Sequence, residues 1–427
     1  MRRPSQSLLA AGRESGRLLR TAAAVAWINA RPSTAAAIRE RKLWLLGGSV
    51  GAAYSDNGAA LHHHLLSEHP EIETFWIINR GSRDIEKAST VGPVLFRNDL
   101  MTTVCALLAQ VHVISHGVHD VPTSDSRLTS AFRVRVGHGL TALKRTKPRG
   151  LHSNASANAN FDLVTVSSPF EKRIKEREWG IPKEKLAVTG LPRFDPLLRK
   201  HRASKANAAV GRPSPRRLLY MPTWRDWLPT TARGISSSPF FCAMKDLLTS
   251  QRLRNVLERH DAYIDISTHI GMRAVLLPLL QRLASDRIAL VNALDMQDAL
   301  VASVALITDY SSLAWDALYI DKPVLFLPFD LEEYQRNRGA YFDLRHELPG
   351  PVAWEARTAL TLIEKHLDGS IPTATYEAHA QAWKERVFPF RDDKNSERVT
   401  QAILAGLQDS AKTPHRTTRR GLFNFKH

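Results

Sequence analysis

Short apolar runs alternate with longer amphipathic stretches along most of this chain. The runs Leu43–Leu46, Thr74–Ile78, Val111–Ile114, Phe132–Val136, Phe161–Ser167 and Leu186–Gly190 are separated by segments with helical spacing. A second series follows: Arg217–Met221, Ala262–Ile266, Ile288–Asn292, Val301–Thr308 and Val324–Leu327, again with helical stretches between. Runs that are apolar on both faces and joined by crossovers predict parallel sheets covered by helices. The polar, Ala-rich and basic segment between the two series, with Gly211, Pro213 and Pro215, reads as a linker. The predicted architecture is α/β, with two Rossmann-type domains facing across a cleft.

The expected domains follow from this pattern. They are a basic amphipathic leader (1–42), an N-terminal domain (43–199), a linker (200–216), a C-terminal domain (217–375), terminal helices (376–408) and a basic tail (409–427). Helices are expected over Glu171–Trp179, Asp246–Arg259, Ala353–His366 and Tyr376–Trp383. No apolar run approaches the roughly 18 residues of a membrane span.

Charge changes this picture at the ends. The net charge is +17, which points to an anionic partner. Residues 1–42 carry nine Lys/Arg against Glu14 and Glu40. On a helical wheel Leu8, Leu18, Leu19, Ala22 and Val25 fall opposite Arg13, Arg17 and Arg20. Such a helix suits an anionic membrane surface, although a solvated leader or an organellar transit peptide shares the composition. The tail repeats the theme, with Arg419 and Arg420 beside Leu422, Phe423 and Phe425. No nucleic-acid-binding module is recognisable, so nucleic acid is not the expected partner. The two cysteines, Cys105 and Cys242, form no disulfide or metal framework, as befits a reducing compartment. His62, His63 and His64 diverge by about 100° per residue on a helix. They cannot share one metal and read as surface.

Candidate chemistry lies at the ends of the predicted strands, where open α/β sheets bind ligands. The first strand runs into Gly47-Gly48-Ser49, followed by Asp56-Asn57, and another into Ile114-Ser115-His116-Gly117. Phe132–Val136 runs into Gly137-His138-Gly139. A histidine between glycines at a strand's end is open to the crevice, and its ordinary pKa near about 6.5 suits it to take a proton from an alcohol. In the second series Thr308, Asp309, Ser311 and Ser312 lie where a strand turns into a helix. There a cap is the plain role, and free backbone N–H groups also favour a phosphate. Arg225 and His269 fall at neighbouring strand ends. No carboxylate cluster demands a metal or other cofactor, and Mg²⁺ carried on a pyrophosphate is compatible with the pattern.

Set in order, GHGLTALK (137–144), TGLPRFD (189–195), MPTWRD (221–226), the TDYSS…DKPVLFLPFDLEEY…RGAYFD block (308–343) and DDKNSERV (392–399) resemble the CDP-glycerol glycerophosphotransferase family. The resemblance covers roughly residues 43–407. It implies a GT-B fold and transfer of an alditol phosphate from CDP-glycerol or CDP-ribitol to a hydroxyl of a lipid-linked or polymer acceptor. CMP would be released, in teichoic-acid or capsular polymer synthesis at the cytoplasmic side of the cell membrane. His138 then matches a general base and His269 a second histidine expected at the donor phosphates. Thr308, Asp309, Ser311 and Ser312 match the donor phosphate site, to which Arg225 adds charge. Family members often carry Trp where this chain has Gly137. Glu332, Glu333 and Asp343 read first as structural. A nucleotide-sugar glycosyltransferase and a basic nucleic-acid-binding protein are the alternatives, separated by the donor turned over and by salt-dependent binding without turnover.

Overall fold

In the computed structural model the strands form two separate parallel sheets. The residues described are 6–124, 127–145, 161–208, 215–223, 225–229, 231–267, 273–291, 296–371 and 373–412. The first sheet contains β1 (Leu43–Gly47), β2 (Glu73–Ile78), β3 (Val94–Phe96), β4 (Val111–Ile114), β5 (Phe132–Arg135), β6 (Leu163–Val166) and β7 (Leu186–Val188). Its order is β3-β2-β1-β4-β5-β6-β7. The second contains β8 (Arg216–Met221), β9 (Ala262–Ile266), β10 (Ile288–Leu290), β11 (Ala305–Thr308) and β12 (Val324–Phe326), in the order β10-β9-β8-β11-β12. Every residue of β1, β4, β6 and β11 is buried, which is what helices on both faces require.

In both sheets the first strand sits in the middle and the order reverses beside it, at β1/β4 and at β8/β11. These are the switch points where crossovers on opposite faces diverge and leave a crevice. In register, Gly47 lies beside Ile114 and Met221 beside Thr308, so both crevices open at strand C-terminal ends.

The structure shifts several expected boundaries. The stretch expected as one helix over Asp246–Arg259 is two, Pro239–Leu248 and Gln251–Arg259, because Ser250 is extended between them. Val301 and Ala302 close the helix Met296–Ala302 rather than opening β11. The first half of the expected linker is helical, since the helix from Phe194 continues to Ala208; residues 209–214 lie outside the described set. The edge strand β3 was not expected. Its three residues are too few to show alternation. Part of the expected leader packs on the domain behind it. The helix Gln6–Ala30 buries Ala24 and Ile28 against Val104, Leu107 and Leu108, and Ala35 joins the same cluster.

The chain then returns to where it began. The final helix, Asn395–Lys412, packs Val399 and Ile403 with Trp44, Leu46 and Phe132 under the first sheet. Its N-terminus is capped across the chain by Asp195, which accepts from Asn395 N (2.9 Å), Asn395 Nδ2 (2.7 Å) and Ser396 N (2.7 Å). Gly190, at φ +76°, leaves the necessary room, because a Cβ there would fall 1.7 Å from Asn395 Oδ1. Two distant motifs thus meet at one buried contact. Asp195→Ala strands these donors in the core and should cost about 2–4 kcal/mol. Thermal unfolding should move down, and amide exchange should speed first in the last helix; unchanged values of both would refute this role of Asp195.

Candidate active site

At the β1/β4 switch point a buried carboxylate organises the loops. Asp120 Oδ2 accepts the backbone N–H groups of Ser115 (3.2 Å), His116 (2.6 Å) and Gly117 (3.1 Å). Its Oδ1 accepts from Val50 N at 2.8 Å and so holds Val50 at φ +53°, a conformation branched side chains avoid. Gly47 is required here, because a Cβ would meet the Asp120 carbonyl oxygen at 2.5 Å.

This framework positions His116. Ser49 N donates to His116 Nδ1 (3.1 Å), which leaves the ring proton on Nε2, facing Ser49 Oγ (3.3 Å) and Asp56 Oδ2 (3.8 Å). The His116 ring stacks on His138, with centroids 4.5 Å apart and planes 6° from parallel. The His138 side chain is exposed, yet the protein around its ring strips away part of its hydration. That loss lowers its pKa below the ordinary histidine value, and His116 lowers it further against the pull of Asp56. The His138 imidazole is therefore neutral at neutral pH.

The loop carrying His138 is held from three sides. Asn57 Nδ2 donates to the carbonyls of Val136 (3.0 Å) and Gly137 (3.1 Å), and Asn57 Oδ1 accepts from Arg193 N (3.1 Å). The Arg193 guanidinium donates to the His138 carbonyl at 2.9 Å and to Asp56 at 3.4 Å. Beyond the loop, Glu171 accepts from Thr141 N (3.1 Å) and Ser167 N (2.7 Å) and pairs with Lys175 (3.2 Å). Burial alone would raise the Glu171 pKa; Lys175 and these N–H groups hold it below the usual carboxylate range.

The other end of Arg193 reaches the second domain. It pairs with Asp316 on the helix Leu313–Tyr319, which follows Ser311-Ser312. Burial opposes charge on both partners. The short contact with Asp316 nevertheless raises the Arg193 pKa above its ordinary value, while burial pushes Asp316 up to about 6. At about 6 the Asp316 carboxyl is still ionised at neutral pH, so the two groups form an ion pair. Gly139 lies against the same turn, since a Cβ on it would sit 3.5 Å from Ser312 Oγ. Below the cleft the domains share one hydrophobic cluster, in which Leu140 and Leu143 pack with Tyr310, Leu313 and Tyr334. Tyr334 also donates to the Leu143 carbonyl at 2.8 Å.

On the second domain's side the expected phosphate-site residues divide into two kinds. Arg225 is fully buried and engaged. It holds Asp330 with Nε (3.0 Å) and Nη2 (2.7 Å), and it pairs with Asp309 through Nη1. Its charge is matched by two carboxylates of the protein. Asp309 Oδ1 accepts from Thr223 N (2.9 Å) and Tyr310 N (2.6 Å), and Thr308 Oγ1 donates to the Met221 carbonyl (2.6 Å). Thr308, Asp309 and Arg225 therefore build the turn. Ser311 Oγ accepts from Leu313 N at 3.2 Å, as a cap would. Ser312 is exposed and makes no side-chain cap. His269 lies outside the described residues. Glu333 accepts from Trp227 Nε1 at 2.9 Å, whereas Glu332 pairs with Arg345 and Asp343 with His346 on the surface. His62, expected at the surface, is buried against Tyr54 and Trp76.

The model of the family described as CDP-glycerol:poly(glycerophosphate) glycerophosphotransferase matches residues 35–405. The chain belongs to this family. It is 25% identical over 375 residues to the teichoic acid glycerol-phosphate transferase of Staphylococcus aureus, covering 83% of this chain and 90% of that protein. It is also 25% identical to the teichoic acid glycerol-phosphate primase of Bacillus subtilis, over 53% of this chain and 54% of the primase. The chain thus spans about half of the primase but most of the transferase. A structure of the wall teichoic acid polymerase TagF superposes with a TM-score of 0.66 at 18% identity, covering 92% of this chain and 98% of that one. A UDP-N-acetylglucosamine 2-epimerase structure from Listeria monocytogenes gives 0.55 at 15% identity, over 86% and 97%. The fold is GT-B-like, and the chain is an enzyme of the glycerophosphotransferase class.

His116, Asp56, Asn57 and Arg193 were not among the residues singled out from the sequence, although each lies in or beside a motif quoted there. Arg193→Ala leaves Asp316 buried and unpaired, which costs about 3–5 kcal/mol. Arg193→Lys should recover little, since one ammonium cannot span Asp316, Asp56 and the His138 carbonyl together. Wild-type melting of both variants would contradict this bridge.

Proposed function

We propose that the cleft transfers an alditol phosphate from a CDP-alditol, CDP-glycerol first, to the hydroxyl of a lipid-linked or polymeric acceptor. The observation that carries this is the backing of the His138 loop onto the Ser312 turn, which puts a neutral base beside a helix start. In this reading the donor pyrophosphate lies along Ser311 and Ser312, whose backbone N–H groups and the free Ser312 hydroxyl meet its oxygens. His138 takes the proton of the acceptor hydroxyl. The acceptor oxygen forms a bond to the β-phosphorus, the bond from that phosphorus to the bridging oxygen breaks, and CMP leaves with its electrons. Such transfer needs positioning and charge neutralisation more than covalent help. His116 is a positioning residue here, since its stacked ring and the Ser49–Asp56 contacts keep His138 in place. His269 is retained as a second histidine at the donor phosphates.

The same proposal puts the enzyme on the cytoplasmic side of the cell membrane, held at anionic lipid. Its support is the helix Gln6–Ala30, which docks by Ala24 and Ile28 yet leaves Leu18 and Leu19 exposed at 61% and 72% beside Arg17 and Arg20. Among the described residues no helix is long and apolar enough to cross a membrane.

With CDP-glycerol and an acceptor, His138→Ala should abolish CMP release and keep donor affinity within a few-fold, because a general base acts in the chemical step. Turnover retained by this variant would end the assignment. Since the His138 pKa is lowered, kcat/KM should hold as the pH drops past the ordinary histidine value and fall only below it. A midpoint at or above about 6.5 would contradict the neutral-base reading. Leu18→Asp with Leu19→Asp should move the protein from anionic vesicles to the supernatant, while transfer to a soluble acceptor persists. These substitutions are cleaner than deleting residues 1–42, which would also remove Ala24, Ile28 and Ala35 from the core. Pelleting unaltered by them would remove the role of the helix.

A further inference from the structure

At the far end of the helix Asp56–Glu68 three side chains converge away from the cleft. His64 lies on that helix, and His69 is its C-terminal cap. Glu397 sits in the first turn of the final helix Asn395–Lys412. His64 Nε2 lies 3.0 Å and His69 Nε2 2.9 Å from the same oxygen, Glu397 Oε2. The three donor atoms all fall within 4.8 Å of one another.

The arrangement around them is that of a supported ligand set. His69 Nδ1 faces Glu71 Oε1 at 3.3 Å, and Glu397 Oε1 accepts from Gln401 Nε2 at 2.7 Å. A carboxylate behind the distal nitrogen is how metal-binding histidines are oriented. Both nitrogens of the His69 ring therefore face carboxylate oxygens, which only accept. A neutral ring has one proton and can satisfy one of them. The other needs either a second proton or a cation. A metal ion at Nε2 supplies the cation without protonating the ring.

We infer that His64, His69 and Glu397 form a divalent transition-metal site of the zinc type, which staples the final helix to the N-terminal domain. Two imidazoles and a carboxylate are a zinc donor set, and bonds of about 2.0–2.1 Å place tetrahedral ligands about 3.3 Å apart, close to the two separations between histidine and Glu397. All three side chains are partly open, so water can complete the coordination. The site lies about 12 Å along the helix from Asp56, by the rise per residue. The ion would thus fix both the last helix and the helix whose other end holds the His138 loop.

Untagged full-length protein, stripped with a chelator and titrated with Zn²⁺ at mildly alkaline pH, should bind one equivalent and melt at a higher temperature. Co²⁺ should give the visible bands of a four-coordinate site. His64→Gln, His69→Ala and Glu397→Gln should each remove that equivalent, and Glu71→Gln should weaken it about ten-fold. His138→Ala should keep it, which separates this site from the stacked pair in the cleft. No stoichiometric uptake, or an equivalent that survives His64→Gln and Glu397→Gln, would overturn the inference. His64→Gln keeps the test valid should His69→Ala fail to fold.

Discussion

One guanidinium holds this enzyme's two halves in working relation. Arg193 leaves the first domain in the turn after β7, supports the His138 loop through its carbonyl, and ends on Asp316 in the second domain. Few other side chains could do this. The bridge needs charge to neutralise a buried carboxylate and a planar fork to serve acceptors on both sides. Burial raises the cost of any vacancy, so the two domains are committed to one geometry. The shared cluster beneath, with Leu143 against Tyr334, turns that electrostatic tie into a packed one.

With the domains fixed, the sheet topology explains why the chemistry lies where it does. Each sheet reverses beside its first strand. Buried carboxylates stand at both points. Asp120 gathers backbone N–H groups on one side, while Asp309 and Asp330 clasp Arg225 on the other. Each is engaged in loop geometry, while the His138 and Ser312 side chains stay exposed. The division is physical: the buried carboxylates and Arg225 build the turns, and the exposed groups are not spent on them.

Much of this was readable before the fold was known. Parallel strands buried on both faces announce themselves as apolar runs, so both sheets and the break between them follow from the pattern. The place of His138 just past a strand end was readable because glycines flank it. The partners of Arg225 were hidden for a physical reason: an arginine beside a strand end looks the same whether it faces a phosphate or two aspartates, and Asp330 is distant in sequence. Arg193, Asp56 and His116 were hidden because their importance comes from partners brought together by folding. His64 and His69 belong to the same class. Consecutive histidines on a helix do diverge, but the useful neighbour was five residues on, past the helix end, with Glu397 contributed by the far end of the chain.

The central claim is that the donor pyrophosphate lies between the Ser312 turn and the His138 loop. A crystal structure of this enzyme with CDP-glycerol bound tests it most directly. The account predicts phosphate oxygens on the Ser311 and Ser312 N–H groups, with the β-phosphorus turned toward His138 and Arg225 still held by its two aspartates. A donor bound away from the Ser312 turn, or one that draws Arg225 off Asp309 and Asp330, would contradict it.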